Sequence, residues 1–178
     1  MAEWKNYITP RGYKRLLDEQ QQIWSVIRPK VVDEVAYAAS LGDRSENAEY
    51  IYGKKKLRKL DSRLRWIRKR IEAAEVIDPA IDRADKVFFG ATVTLLYQND
   101  TERRFSLVGE DEIELQKSRI SWRSPIGRAV MGKREGDEVR IRRPEGMAEV
   151  EILEVEYLSQ KDDDTEVAIF RDISLGGK

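Results

Sequence analysis

Apolar residues recur at helical spacing through roughly the first 77 positions and alternate with polar ones after that, so the chain changes character once along its length. Tyr13, Leu16/Leu17, Ile23/Trp24, Ile27, Val31, Val35 and Ala38 form the first stripe. Thr9-Pro10 opens it, because a threonine oxygen accepts from the first free N–H groups and proline is tolerated at the first helical position. A helix from Pro10 to Ser40 would run about 45 Å at ~1.5 Å per residue. Pro29 lies inside it and is expected to bend the helix or loosen one turn. Leu41-Gly42-Asp43-Arg44-Ser45 interrupts the stripe. A second stripe, Leu57, Leu60, Leu64, Ile67, Ile71 and Ala74, steps alternately by three and four, the pattern of a coiled-coil seam. Two helices of similar length joined by a few residues predict an antiparallel hairpin with its tip at 41–47.

Asp78-Pro79 is expected to end the second helix, with residues 78–86 as a linker. Val87 to Tyr97, Arg103 to Gly109, Val139 to Arg142 and Met147 to Tyr157 read as strands, separated by turns such as Gln98-Asn99-Asp100 and Pro144-Glu145-Gly146. Ser124-Pro125 starts a short helix that Gly132 closes. The expected fold is α+β: an antiparallel coiled-coil hairpin over 9–77, then a small antiparallel-sheet domain over 87–158. The tail, 159–178, contains Asp162-Asp163-Asp164 and is expected to be weakly ordered.

Composition sharpens this picture. Of 178 residues, 37% are charged and 40% hydrophobic, too polar for one deep core and suited to long solvated helices beside a smaller packed unit. The chain has neither cysteine nor histidine. That excludes disulfides, thiolate zinc sites and cysteine nucleophiles, and removes the commonest general base. Any chemistry must use carboxylates, hydroxyls, amines or a hard cation. No apolar run approaches the ~18 residues that span a bilayer, and the start lacks a signal-peptide stretch, so no membrane partner and a cytoplasmic location are expected.

The formal net charge is zero, but the charges are separated. Residues 1–77 carry 17 basic and 11 acidic side chains; residues 78–178 carry 16 and 22. Between Lys54 and Arg70, ten Lys/Arg face one acid, Asp61. Lys54, Lys55, Arg58, Lys59, Arg65, Lys69 and Arg70 are the candidate cations of a polyanion contact through phosphates; the competing reading is an ordinary solvated face. A mixed-sign surface is the norm for such a face, which favours the polyanion. Tyr50 and Tyr52 are placed either to stack on a base or to pack near the tip.

Asp43 and Glu46 stand three apart at the tip. One reading is a capping box, in which Asp43 caps a helix and Glu46 reaches back. The other is a divalent hard cation held by the two carboxylates and completed by a second macromolecule, since Mg²⁺ takes oxygen ligands and often only one or two carboxylates. The two readings do not exclude each other.

Leu41-Gly42-Asp43-Arg44-Ser45-Glu46-Asn47-Ala48-Glu49-Tyr50 resembles the tip motif of the Gre transcript-cleavage factors of bacterial RNA polymerase, and the basic run from Tyr52-Gly53-Lys54-Lys55 looks like their GreB subgroup. Val87-Phe88-Phe89-Gly90-Ala91, Ser124-Pro125-Ile126-Gly127-Arg128-Ala129 and Gly132-Lys133…Gly136-Asp137-Glu138-Val139 continue the resemblance in family order over about residues 9–158. The resemblance implies an FKBP-like C-terminal domain that grips bacterial RNA polymerase, with Pro125 and Ile126 as candidate contacts. Their competing roles are a helix start and a core position. It also implies a hairpin that enters the secondary channel and reaches the extruded RNA 3′ end of a backtracked complex. Asp43 and Glu46 take the metal and water role for a shared Mg²⁺, and Ser45 and Asn47 assist. On this view the chain is no enzyme and has no small-molecule substrate; it stimulates the polymerase's own cleavage. Arg123 departs from the family pattern, where some relatives carry an acid, and the tail beyond Ser159 runs past the usual end. Two other classes compete: a prolyl isomerase or chaperone built on the C-terminal domain, and a nonspecific nucleic-acid-binding coiled coil.

Overall fold

The computed structural model describes residues 6–42, 46–81, 85–144 and 146–158. They divide into two compact units, one of residues 14–73 and one of residues 6–13 with 74–158. The expected hairpin boundaries were 9 and 77, whereas the division falls at Tyr13/Lys14 and Ala73/Ala74.

The helical unit is built from α1 (Pro10–Gln22), a π-helical turn (Ile23–Ile27), α2 (Arg28–Ser40) and α3 (Ala48–Glu72). The π turn is how Pro29 is accommodated. Proline has no N–H for the Ser25 carbonyl and its ring presses on that group. The helix widens just before it, with the Arg28 N–H donating to Ile23 O, five residues back. The extra residue also keeps phase. Leu16, Ile23, Val31 and Ala38 are buried, at steps of seven, eight and seven, and the eight-residue step contains the π turn.

Across from them α3 buries Gly53, Leu60 and Ile67, a strict seven-residue repeat, with Leu57, Leu64 and Ile71 half-buried beside them. The two helices run antiparallel, as the cross-pairs show. Arg28 pairs with Asp61 at 2.9 Å, Lys56 with Glu34 at 4.0 Å, and Arg63 grips Glu19 with two bonds of 2.6 and 2.8 Å. Gly53 lies where α3 packs tightly on α2: a Cβ there would stand 2.5 Å from Val35 Cγ2.

The second unit holds β1 (Asn6–Ile8), β2 (Ala74–Val76), β3 (Thr92–Tyr97), β4 (Glu102–Val108), β5 (Arg119–Ser121), α4 (Pro125–Val130), β6 (Glu138–Arg143) and β7 (Gly146–Glu156). Its main sheet runs β5-β4-β3-β7-β6 and is mixed, because β5 joins β4 in parallel. The expectation of an antiparallel sheet therefore holds for four strands and fails for the fifth. Val93, Leu95, Leu107, Ile141, Val150 and Ile152 form the core of this sheet, with Val130 of α4 against them. The first long strand opens at Thr92 rather than Val87; residues 87–91 are a loop, pinned where the Tyr157 hydroxyl accepts from Phe88 N and donates to Lys86 O.

The helical stripe continued too far in the sequence reading. α3 stops at Glu72, and Ala74, expected as its last seam position, pairs with Asn6 in a parallel two-stranded sheet, β1 with β2. Ile77 N extends the ladder to Ile8 O. Glu112, 1% exposed, fastens this ribbon. Its carboxylate accepts from the Thr9 N–H at 2.9 Å, the Thr9 hydroxyl and the Gly109 N–H at 3.1 Å. A Cβ on Gly12 would lie 2.3 Å from the Glu112 carboxyl carbon, so the glycine makes room for the clamp. Tyr7, Phe89 and Trp122 stack beside it with ring centroids 5.1 to 6.5 Å apart.

Two stability predictions test these contacts. Glu112→Ala leaves three buried donors without their acceptor and is expected to cost roughly 2–4 kcal/mol in urea unfolding. Gly53→Ala is expected to destabilise by about 1 kcal/mol although alanine is the better helix former, because the new methyl collides with Val35. Gly53→Ala/Val35→Ala should be more stable than the two single changes add up to, and additivity would show that the contact is not what limits the site.

Candidate functional site

α2 ends and α3 begins around one side chain. Asn47 is the N-cap of α3: its Oδ1 accepts from the Tyr50 N–H at 3.1 Å, while its Nδ2 donates to the Ala38 carbonyl at the end of α2, at 2.8 Å. One amide thus supplies an acceptor to a helix start and a donor to a helix end, which satisfies both kinds of orphan group at once. Ile51 N bonds to Asn47 O, and Leu41 N also reaches Ala38 O.

Of the capping-box reading of Asp43 and Glu46, only Glu46 falls within the described residues, and the cap of α3 is Asn47. The helix starts at Ala48, so Glu46 precedes the cap rather than occupying the third helical position. Glu46 is exposed, a carboxylate beside a braced helix start with no capping duty in α3. Asp43 and Ser45 lie outside the described residues. Among the described residues no group of three or more acidic side chains gathers as a metal cage.

From the tip the basic run extends along α3. Asp61, the one acid within it, is taken by Arg28 of α2, and Arg63 and Lys56 turn to Glu19 and Glu34. The interhelical flank is therefore internally neutralised. The outer face is not. Lys54, Lys55, Arg58, Lys59, Arg65 and Lys69 are exposed, and among the described residues no acid pairs with Lys55, Arg58, Lys59 or Lys69. Arg65 donates to Ser62 Oγ at 2.9 Å, Lys54 sits over the Tyr50 ring at 5.5 Å, and Arg70 lies half-buried over Trp66 at 5.8 Å.

Aromatic residues punctuate this face. Tyr50 is half-buried beneath Lys54, whereas Tyr52 is exposed and, with Tyr37, walls a shallow notch of about 280 Å³ over Gly53. Trp66 also stacks under Arg63 at 4.3 Å. The sequence reading passed over Trp66 and Tyr37; the signal for Trp66 was its place two heptads from Tyr52, and Tyr37 had no such partner.

In the other unit Ser124 caps α4, its hydroxyl accepting from the Gly127 N–H at 3.0 Å, and Pro125 follows at the first helical position, exposed. Ile126 is half-buried against the sheet core. The two candidate contacts separate here: Pro125 is available at the surface and Ile126 serves mainly the core. No helix among the described residues is long and apolar enough to cross a membrane.

Known proteins give the arrangement a family. Residues 6–76 match the family described as transcription elongation factor, N-terminal, and residues 82–157 match transcription elongation factor, GreA/GreB, C-term. Transcription elongation factor GreB of Neisseria meningitidis serogroup B is 50% identical over 158 residues, 88% of this chain and 97% of that protein. The GreB of Pseudomonas aeruginosa is 47% identical over 150 residues, covering 84% and 89%. The solved prokaryotic transcription elongation factor GreA/GreB from Nitrosomonas europaea aligns at 21% identity over 86% of this chain and 100% of that one, with a TM-score of 0.39. A braced polar tip, a one-sided basic helix and a mixed-sheet unit thus occur in a chain that belongs to the GreA/GreB family of transcription elongation factors.

Proposed function

We propose that this chain binds bacterial RNA polymerase in the cytoplasm, enters its secondary channel as a coiled-coil hairpin, and stimulates the polymerase's own Mg²⁺-dependent cleavage of backtracked RNA. The observation that carries this reading is the tip. Glu46 is exposed, precedes the helix cap and has no capping duty in α3, while Asn47 ties both helix ends beneath it. A carboxylate mounted on a braced end can be presented to a partner with little further ordering cost.

Asp43 and Glu46 would hold the cation, with Ser45 and Asn47 assisting. One exposed carboxylate in the described part of the tip fits an oxygen-only, partly solvated ion of this kind and would bind it weakly alone. When bound, a second Mg²⁺ favours ionisation of a water and offsets charge in the displacement. The chain's own contribution is to place two acids, orient water through them and bring nothing that needs histidine or cysteine.

Lys55, Arg58, Lys59, Arg65 and Lys69 attract the phosphates of the extruded RNA, and Tyr52 offers an exposed ring to a base. Pro125 is the surface contact to the polymerase, carried on an FKBP-like domain. The chain is then an accessory factor and not itself an enzyme. The prolyl-isomerase reading gains nothing from the structure's aromatic residues, since Phe89 and Trp122 are committed to Tyr7.

Asp43→Asn and Glu46→Gln are each expected to leave polymerase binding within about twofold and to lower RNA cleavage in a stalled complex by a hundredfold or more, read as loss of shortened, extendable transcript. Full cleavage by both variants would remove the tip acids from the mechanism. Reversing Lys55, Lys59 and Lys69 to Glu should weaken action on long extruded RNA more than on short, and the loss should shrink as salt rises. An equal effect on both lengths would show that these lysines do not track the RNA.

A further inference from the structure

On the helical unit Gln20, Gln21, Trp24, Leu64, Arg65 and Arg68 line a groove of about 340 Å³ that runs between α3 and the end of α1. Trp24 stands in the π turn beside the buried Ile23 and is itself 64% exposed. A large indole left open to water is the kind of side chain that anchors a protein contact. Leu64 is half-buried beside it, and Arg65 and Arg68 are exposed. Arg65 has no acid partner among the described residues and donates to Ser62 Oγ at 2.9 Å. Arg68 is in an exposed pair with Glu72, one turn along the same helix, and such a pair is weak enough to be exchanged for another carboxylate. The groove therefore asks for an occupant that is both apolar and acidic.

The sequence holds such a segment beyond the described residues and beyond the family match, which ends at residue 157. Asp162-Asp163-Asp164-Thr165-Glu166 carries four acids in five positions, and Val167-Ala168-Ile169-Phe170 follows as four apolar residues in a row, with Ile173 and Leu175 after them. Residues 162–175 hold five acids and one base, Arg171. A solvated tail accounts for the acids but not for the apolar run, which is of the uncharged, strand-prone kind that proteins keep covered.

We infer that the chain's own C-terminal segment, residues 162–175, docks in this groove, its acids beside Arg68 and Arg65 and its apolar side chains on Trp24 and Leu64.

Charge, order and length agree with this occupant. The segment is acidic where the groove is basic. Arg68 lies nearest Ala73, and Leu64 and Trp24 lie farther along the hairpin, so acids followed by apolar residues is the order in which the groove offers its partners. Twelve residues separate Leu158 from Phe170, about 40 Å at full stretch. A unit of roughly 90 residues is about 30 Å across, and Arg68 is about 8 Å along α3 from Ala73, so the segment reaches the groove. A nucleic-acid strand would satisfy the two arginines and could stack on Trp24, but it brings no aliphatic group for Leu64. Docked there, the segment covers Arg65, one of the cations proposed to attract RNA, and acts at that point as an internal competitor for phosphate. The docking itself rests on neither RNA nor polymerase.

The test uses the full chain, whose lack of cysteine makes one introduced thiol a unique attachment point. A nitroxide on Ser174→Cys should broaden the backbone amide signals of residues 20–24 and 64–68 and spare those of β6 and β7. Arg65→Glu/Arg68→Glu should restore the broadened signals, and so should Phe170→Ser/Ile173→Ser, which leaves every charge in place. Circular dichroism on each variant separates release of the segment from loss of fold. The Phe170→Ser/Ile173→Ser chain should also bind a labelled twelve-nucleotide single-stranded RNA at least threefold more tightly than the wild type in fluorescence anisotropy. No broadening, broadening centred elsewhere, broadening between a labelled copy and an unlabelled one, or broadening that survives the Phe170/Ile173 variant would each overturn the docking. An RNA affinity unchanged in that variant would overturn the competition at Arg65. Failure of the cleavage reading would leave the broadening untouched, because the experiment contains no polymerase.

Discussion

The close packing of α3 against the α1–α2 rod is the constraint on which the rest of the helical unit depends. Gly53, Leu60 and Ile67 recur every seven residues on one side, and Leu16, Ile23, Val31 and Ala38 answer them on the other. A straight α-helix does not keep an eight-residue step in register with a seven-residue one. The π turn at Ile23–Ile27 absorbs the difference, and Pro29 gives that turn a reason to be where it is. Without it the apolar face beyond Val31 would rotate by about 100° out of the seam, and Ala38 would no longer present its carbonyl to Asn47.

That packing also sorts the charges. Glu19 of α1 and Glu34 of α2 draw Arg63 and Lys56 of α3 into pairs, and Arg28 of α2 takes Asp61 of α3, along the flanks where the helices meet. These pairs are partly exposed and add little stability individually. Their consequence is electrostatic: the acids that could have quenched the basic run are already engaged, so the cations on the far side of α3 are left to act together. The field of such a face falls off over a Debye length of about 8 Å at physiological salt, so it acts only on charges close to it.

Most of this was legible in the sequence where periodicity carried it. The two helical stripes, the break between them, the seam at Leu60 and Ile67 and the strands around Leu95, Ile141 and Ile152 follow from period alone. What was not legible came from contacts distant in sequence. Nothing local says that Ala74 leaves the stripe to pair with Asn6, because the pairing joins residues 68 apart and sits beside a Thr9–Glu112 contact spanning 103 residues. The parallel placing of β5 is likewise decided by β4 and not by Arg119–Ser121 themselves. At the tip two patterns competed. Asp43-x-x-Glu46 is a capping signature, but Asn47 is an equally good cap, and its amide also donates to the Ala38 carbonyl at the end of α2. The arginines of β6 were read as strand positions, since Arg140-x-Arg142 alternation looks like any solvent-facing side of a sheet until α4 closes a groove beside them.

Asn47 bears on the role proposed for the tip. An exposed pair of carboxylates has weak affinity for a divalent ion, because water competes for it and two ligands leave most of the coordination shell unfilled. Strength has to come from the partner, and the tip's contribution is then judged by how little entropy is lost when it docks. Fixing a backbone residue costs on the order of 1–2 kcal/mol, so a loop free to move would lose several such increments on meeting any partner. Joining the two helix ends through the Asn47 amide moves part of that cost into folding, where the seam already covers it. On the proposed reading, the residue that braces the helix ends beside Glu46 is therefore one that carries no charge.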